Sequence, residues 1–407
     1  MACFFATLIT RILMKKSITA AYAGAQGLHW AAYCGVISLA GIYLQAKGFD
    51  TAQVGFVLAL ATIAPALIQP FLAASADRSA RLSLRAYLTI LSVLAISCSL
   101  LLFLFDLPDF VVLSVFLLAS VLIHLLEPLL NSIASYSFRN GIPLDFGISR
   151  SMGSIAFAFA SLGLGYAAKH LGGDSIVLFS GLLTALFLVC LFLLPKMPPE
   201  GSAGKESEAA VKSCSVAQFL IRYPRYVWTM VGFFFIAAFH VMTETYLINM
   251  MERIGGDSSH VGVAMLVANA SEFIVIFFFE RIRKLLSSGK WLIVAAFFFA
   301  VKALLFHLAP SVPMMYLAQS LESVTYGIYA PSIVHFADEE IAPADSVKGQ
   351  SIWIAIFTLG GSLGNYAGGF IIKAASVRAM TFSGFLFCAL GALIVTVVQL
   401  NRKHAKA

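Results

Sequence analysis

Residues 291–310 read WLIVAAFFFAVKALLFHLAP, an unbroken apolar run with one formal charge, Lys302, near its middle. An α-helix of about 20 such residues reaches across the ~30 Å hydrocarbon layer of a bilayer. Stretches of the same kind recur along the chain. Apolar windows fall at 26–46, 54–74, 86–106, 110–136, 150–168 and 175–195, and again at 226–250, 260–280, 291–309, 312–337, 350–373 and 378–400. The whole chain of 407 residues is 60% hydrophobic and 12% charged. Roughly 25% charge is usual in a soluble domain, so most of this surface must face lipid. The fold expected is all-α and membrane-integral, with twelve spanning helices.

The windows fall into two sets of six, and this sets the expected organisation: a first half over 1–195, a linker over 196–225, and a second half over 226–407. The linker begins KMPPEGSAGKESEAAVKSC and is rich in Pro, Gly, Ser and charge, as flexible connectors are. The halves echo one another. Tyr43-Leu44, Asp50-Thr51 and Val54-Gly55 recur as Tyr246-Leu247, Asp257-Ser258 and Val261-Gly262, and Leu126-Glu127 recurs as Leu321-Glu322. Ordered repetition of this kind predicts a duplicated, pseudo-symmetric carrier fold with its solute path where the halves meet.

Lys and Arg set the orientation. With both termini cytoplasmic, 21 of the 27 fall on the cytoplasmic side and 5 outside, with Lys302 in mid-span. That bias accounts for the net charge of +7 without nucleic acid. The six cysteines, Cys3, Cys34, Cys98, Cys190, Cys214 and Cys388, form neither a CxxC nor a Cys/His cluster. They predict no metal and no disulfide framework. No Walker loop points to ATP-driven pumping, and no cofactor or enzymatic activity is expected.

Two short motifs carry a family resemblance. Ala73 to Arg81 reads AASADRSAR. It resembles the G-x-L-x-D-R-x-G-R-R loop of the major facilitator superfamily, with both glycines replaced by alanine and Asp77, Arg78 and Arg81 keeping the charged core. Pro143 to Ser154 reads PLDFGISRSMGS. This resembles the start of the fifth helix in lactose-permease-like carriers, nearest to their phenylpropionic acid transporter branch. The resemblance implies the two-half superfamily fold, a bacterial inner-membrane location, a monomeric working form, and a proton-coupled importer of a small organic acid, with aromatic acids among the candidates. A sugar or nucleoside importer and a drug-type exporter of the same fold stand as alternatives. The Asp77, Arg78 and Arg81 loop would act as a cytoplasmic gate.

Charged groups inside apolar windows narrow the site. Each costs about 2.5–3.5 kcal/mol at the bilayer centre on insertion scales, so it persists where it is paired, wetted or used. The set comprises Glu127, Glu244, Glu272, Lys302 and Glu322, with His240 one turn before Glu244. By resemblance, Lys302 stands where these carriers hold a proton-coupling arginine, and Glu322 where their tenth helix holds a histidine. Glu272 stands near an acid linked to substrate and proton. The proton-coupling candidates are therefore Glu272, Lys302, Glu322, Glu244 and His240. The alternative is a Lys302–Glu322 pair that simply locks two helices. Arg150 matches the family's substrate-gripping arginine, which makes Arg150, Glu127, Asn131 and Tyr326 the solute candidates. Arg150 as a plain anchor at the membrane edge is the competing reading.

Overall fold

The computed structural model describes residues 2–79, 81–140, 142, 144–195 and 215–401, with the side chains of 2–16, 77, 78, 139, 344 and 347 outside the description. Most of the proposed linker and the last basic residues, Arg402, Lys403 and Lys406, therefore lie outside the described residues. Among the described residues every regular element is helical. They run α1 (Ala2–Tyr33), α2 (Ala40–Ala46), α3 (Thr51–Arg78), α4 (Leu84–Leu104), α5 (Asp109–Arg139), α6 (Phe146–Leu171), α7 (Asp174–Leu193) and α8 (Val216–Arg222), followed by α9 (Pro224–Thr245), α10 (Leu247–Glu252), α11 (Ser258–Ile282), α12 (Ser288–Leu308), α13 (Val312–Ser320), α14 (Tyr326–Glu340), α15 (Ser346–Ala374) and α16 (Val377–Leu400). Helices satisfy every backbone group internally, which is what lipid demands of a spanning segment.

Ten of these helices are long and apolar enough to cross a bilayer, and the bent pair α1–α2 makes an eleventh. The tenth predicted window, 312–337, is one apolar stretch in sequence but two helices in space. It divides into α13 and α14 at a tight 3-10 turn over Leu321–Ser323. The hydroxyls of Ser320, Ser323 and Thr325 donate to the carbonyls of Leu317, Ser320 and Leu321. Local side chains thus meet main-chain groups around the interruption. The first window breaks differently: a π-turn at Cys34–Ser38 precedes a 47° bend into α2, the usual consequence of an extra residue in the helical ladder.

Contacts divide the chain into two units, residues 1–47 with 64–205 and residues 48–63 with 206–407. In the first, α1 packs on α6 and α7, and α4 packs on α5 and α7. In the second, α9 packs on α15 and α16, while α12 packs on α14 and α16. These pairs correspond helix for helix, as expected of a duplicated fold. Close packing in the second unit depends on small residues. A Cβ on Gly364 of α15 would stand 2.1 Å from the Ala238 carbonyl of α9, so no side chain fits there.

The loop after α3 was expected to act as a charged gate. Arg81 is exposed, and the Ser79 hydroxyl accepts from the Arg81 and Leu82 amides, closing the turn in the absence of the glycines. The side chains of Asp77 and Arg78 lie outside the described residues.

Candidate functional site

In the second unit, Lys302 and Glu322 are 3% and 4% exposed, and their side chains form a direct ion pair. Lys302 comes from the middle of α12, and Glu322 from the interruption between α13 and α14. A continuous helix would fix the carboxylate by regular phase. The interruption instead sets the direction of Glu322. Nδ1 of His240, on α9, lies 3.6 Å from the other carboxylate oxygen. The His240 ring stacks on Tyr326 at 5.3 Å and stands edge-on to Phe299. Lys302 Nζ also lies 5.3 Å from the Phe306 ring centre. Two basic groups therefore face one carboxylate inside an aromatic wall. Taking a charge from water into such a place is unfavourable unless its partners are well placed.

Of the predicted proton-coupling residues, the structure brings together Lys302, Glu322 and His240. Tyr326, expected against the solute, joins that group by stacking on His240. Glu244 follows on α9 and is half-buried. Glu272 is half-buried on α11, and its main-chain carbonyl lies beside Gly327 at the start of α14.

The first unit holds a second polar group. Asp145 caps α6, its carboxylate accepting from the Ile148 amide, while its own amide donates to Thr19 Oγ1 on α1. This pins the start of α6 to α1 and sets Arg150 above the Trp30 indole, 4.5 Å from the ring centre. Gly153 makes room for that indole, since a Cβ there would come within 2.5 Å of Trp30 Cδ1. The glycine of the fifth-helix motif thus has a definite purpose. Glu127, on α5, is half-buried. Asn131, also on α5, accepts from Gln26 Nε2 at 3.0 Å, and Gln26 is bonded in turn to Tyr22.

Several groups here have no partner. Gln26 Oε1, Trp30 Nε1 and both ring nitrogens of His29 are buried without a hydrogen bond. His29 is 1% exposed and is ringed by Trp30, Tyr33 and Phe187. A buried polar group left unpaired costs roughly 1–3 kcal/mol. Four such atoms lie on neighbouring turns of α1. Sequence reading singled out Arg150, Glu127 and Asn131, but Gln26 went unnoticed because an uncharged amide hardly disturbs an apolar window. Its signal is the four-residue spacing from Tyr22. Among the described residues no group of His, Cys, Asp and Glu could hold a metal ion.

A family model described as "MFS_1 like family" matches residues 27–383. A maltose permease from Geobacillus stearothermophilus is 24% identical over 390 residues, covering 92% of each chain. Among solved structures, the nucleoside transporter NupG superposes with a TM-score of 0.77 at 17% identity, over 95% of this chain and 100% of that one. An auto-inhibited POT family peptide transporter superposes with a TM-score of 0.72 at 12% identity, over 96% and 98%. At such identities the structural likeness establishes the fold.

Proposed function

This chain belongs to the MFS_1 like family, and on that premise we propose that it is a secondary transporter that imports a small organic acid together with a proton. The observation that carries the reading is the buried Lys302–Glu322–His240 group at a helix interruption. A carboxylate held by two basic groups inside a bilayer has few purposes beyond locking helices or exchanging a proton. The histidine favours exchange. Helix locking needs the Lys–Glu pair alone, whereas His240 offers a second site for the proton. Glu322 takes up the proton, its hold on Lys302 loosens, and the carrier passes to its other facing state. Release of the proton restores the pair. Glu272 and Glu244 remain the neighbouring acids through which the proton travels.

The solute binds the first unit's set. No hydrogen bond or ion pair to the Arg150 guanidinium is found among the described residues, which leaves its edges open to accept a carboxylate in a two-pronged bridge. Trp30 offers its ring to an aromatic or apolar body. Glu127 and the Asn131–Gln26 pair supply further polar contacts. A second reading, a sugar or nucleoside, is favoured by the unpaired atoms of Gln26, His29 and Trp30, which suit hydroxyl groups. The permease and nucleoside-transporter likenesses point the same way. The charge bias of the loops supports a reading with both termini on the cytoplasmic side, and the family resemblance supports an inner-membrane location.

The test is the external pH of lightly buffered, de-energised cells making the protein, on addition of aromatic acids, sugars and nucleosides in turn. Alkalinisation with one class identifies proton symport and the solute class together. Equilibration of labelled solute without any pH change would reject the proton.

A further inference from the structure

At the end of the second unit where Arg281, Lys284 and Lys290 gather, α11, α12 and α14 enclose a cavity of about 160 Å³. Its walls include Phe279, Arg283, Ser288, Trp291, Ser332, His335 and Glu339. The charges are arranged asymmetrically. Glu280 accepts from Arg283 Nε through one oxygen and faces His335 Nε2 at 3.1 Å through the other. Both oxygens of that carboxylate are thus engaged. The terminal nitrogens of Arg283 have no partner among the described residues. Glu339 accepts from Ser288 through Oε1, and Oε2 is left without one. Ser332 is 1% exposed, and its hydroxyl, unlike those of Ser132 and Ser137, does not bond back along its own helix. Phe279 stacks on His335 and lies 6.0 Å from Trp291, which gives the cavity an aromatic side.

We propose that this cavity binds a compact zwitterion, its anionic group on Arg283 and its primary ammonium on Glu339. A purely anionic ligand would meet the Glu339 carboxylate, and a purely cationic one the Arg283 guanidinium. A molecule carrying both charges satisfies each, with Ser332 at the buried wall and the aromatic rings around the ammonium. The exposed Phe277, Phe278 and Leu285 beside it face lipid, so the ligand comes either from a lipid headgroup or from solution. Bound there, it ties together the ends of three helices, α11, α12 and α14. None of its contacts belongs to the Lys302 group or to the Arg150 set.

The test uses the full chain and the emission of Trp291. Tryptophan fluorescence is titrated with O-phosphoethanolamine in detergent. It is also compared between nanodiscs of phosphatidylcholine alone and nanodiscs that include phosphatidylethanolamine, with W291F identifying the share due to Trp291. The expected result is a saturable, Trp291-dependent change in at least one arm, weakened at least about tenfold by R283Q and by E339Q. A response to the soluble probe assigns the site to a free zwitterion. A response confined to the nanodiscs assigns it to the headgroup. Both substitutions fall on exposed side chains, so the fold is kept. No Trp291-dependent change in either arm, or a change that R283Q and E339Q leave as in wild type, overturns the proposal.

Discussion

Nδ1 of His240 lies 3.6 Å from a Glu322 carboxylate that Lys302 already holds from its other side. A simple ion-pair lock between α12 and the α13–α14 interruption has no need of the third group. The arrangement gives the carboxylate two basic neighbours from two different helices, so a small helix movement can trade one for the other.

The first prediction concerns stability. Lys302→Ala leaves Glu322 buried with its main partner gone, a loss of about 3–5 kcal/mol for a buried pair broken on one side. Replacing both, as Lys302→Met with Glu322→Leu, removes the stranded charge. In thermal melts of the purified protein, the double variant is expected to melt above Lys302→Ala. A double variant as unstable as the single would mean that the charges are not paired in the membrane.

Arg150 gives a prediction about the solute. Lysine keeps the charge but lacks both the planar stack on Trp30 and the two-pronged grip. Arg150→Lys is expected to raise the KM of uptake by roughly 10- to 100-fold with little change in protein level, the scale of one charge-assisted bond. Gly153→Ala, whose Cβ would displace the Trp30 ring, should move KM in the same direction. Unchanged uptake kinetics in both would remove Arg150 and Trp30 from the solute site.

A third prediction follows from the second-unit end of α3, where the Asp50 carboxylate accepts from Lys373 at 2.8 Å and from the amides of Ala52 and Gln53. The Lys373 hydrogen bond, then the local main-chain contacts, hold this carboxyl below the usual aspartate range. A depressed carboxylate contributes stability above its unfolded value, near pH ~4, and loses it as pH falls through the folded value. The group is largely in solvent, so the ion pair adds below about 1 kcal/mol, and the helix cap about as much again. Asp50→Asn should therefore melt slightly below wild type at pH 7, with the gap held down to about pH 4 and closing only as the pH falls further, through the depressed folded value. A gap that persists unchanged in acid would show that charge plays no part.

Much of this was legible in the sequence, for reasons that differ residue by residue. The spans declare themselves because lipid tolerates little but apolar side chains over about 20 residues. Lys302 and Glu322 stand out for the same reason, as charges where charge is unfavourable. The interruption at Leu321–Ser323 was hidden, because hydropathy sums side chains and is insensitive to whether the backbone keeps its helical phase. The bend after Cys34–Ser38 was hidden likewise. Tyr326 read as a solute contact, and its stacking on His240 is a neighbour that no sequence pattern announces. The seat of Arg150 on Trp30 needs α6 set against α1, which the Asp145–Thr19 bond provides and no local pattern announces.

The most direct test of the central claim is solute-driven proton uptake by proteoliposomes holding Glu322→Gln, measured beside exchange of labelled solute across the same membranes. Glutamine keeps the shape and loses the titration. The proposal predicts that exchange continues while proton movement and uphill accumulation disappear. Proton uptake at the wild-type ratio in Glu322→Gln would contradict it, and would leave the Lys302–Glu322 pair as a lock between helices.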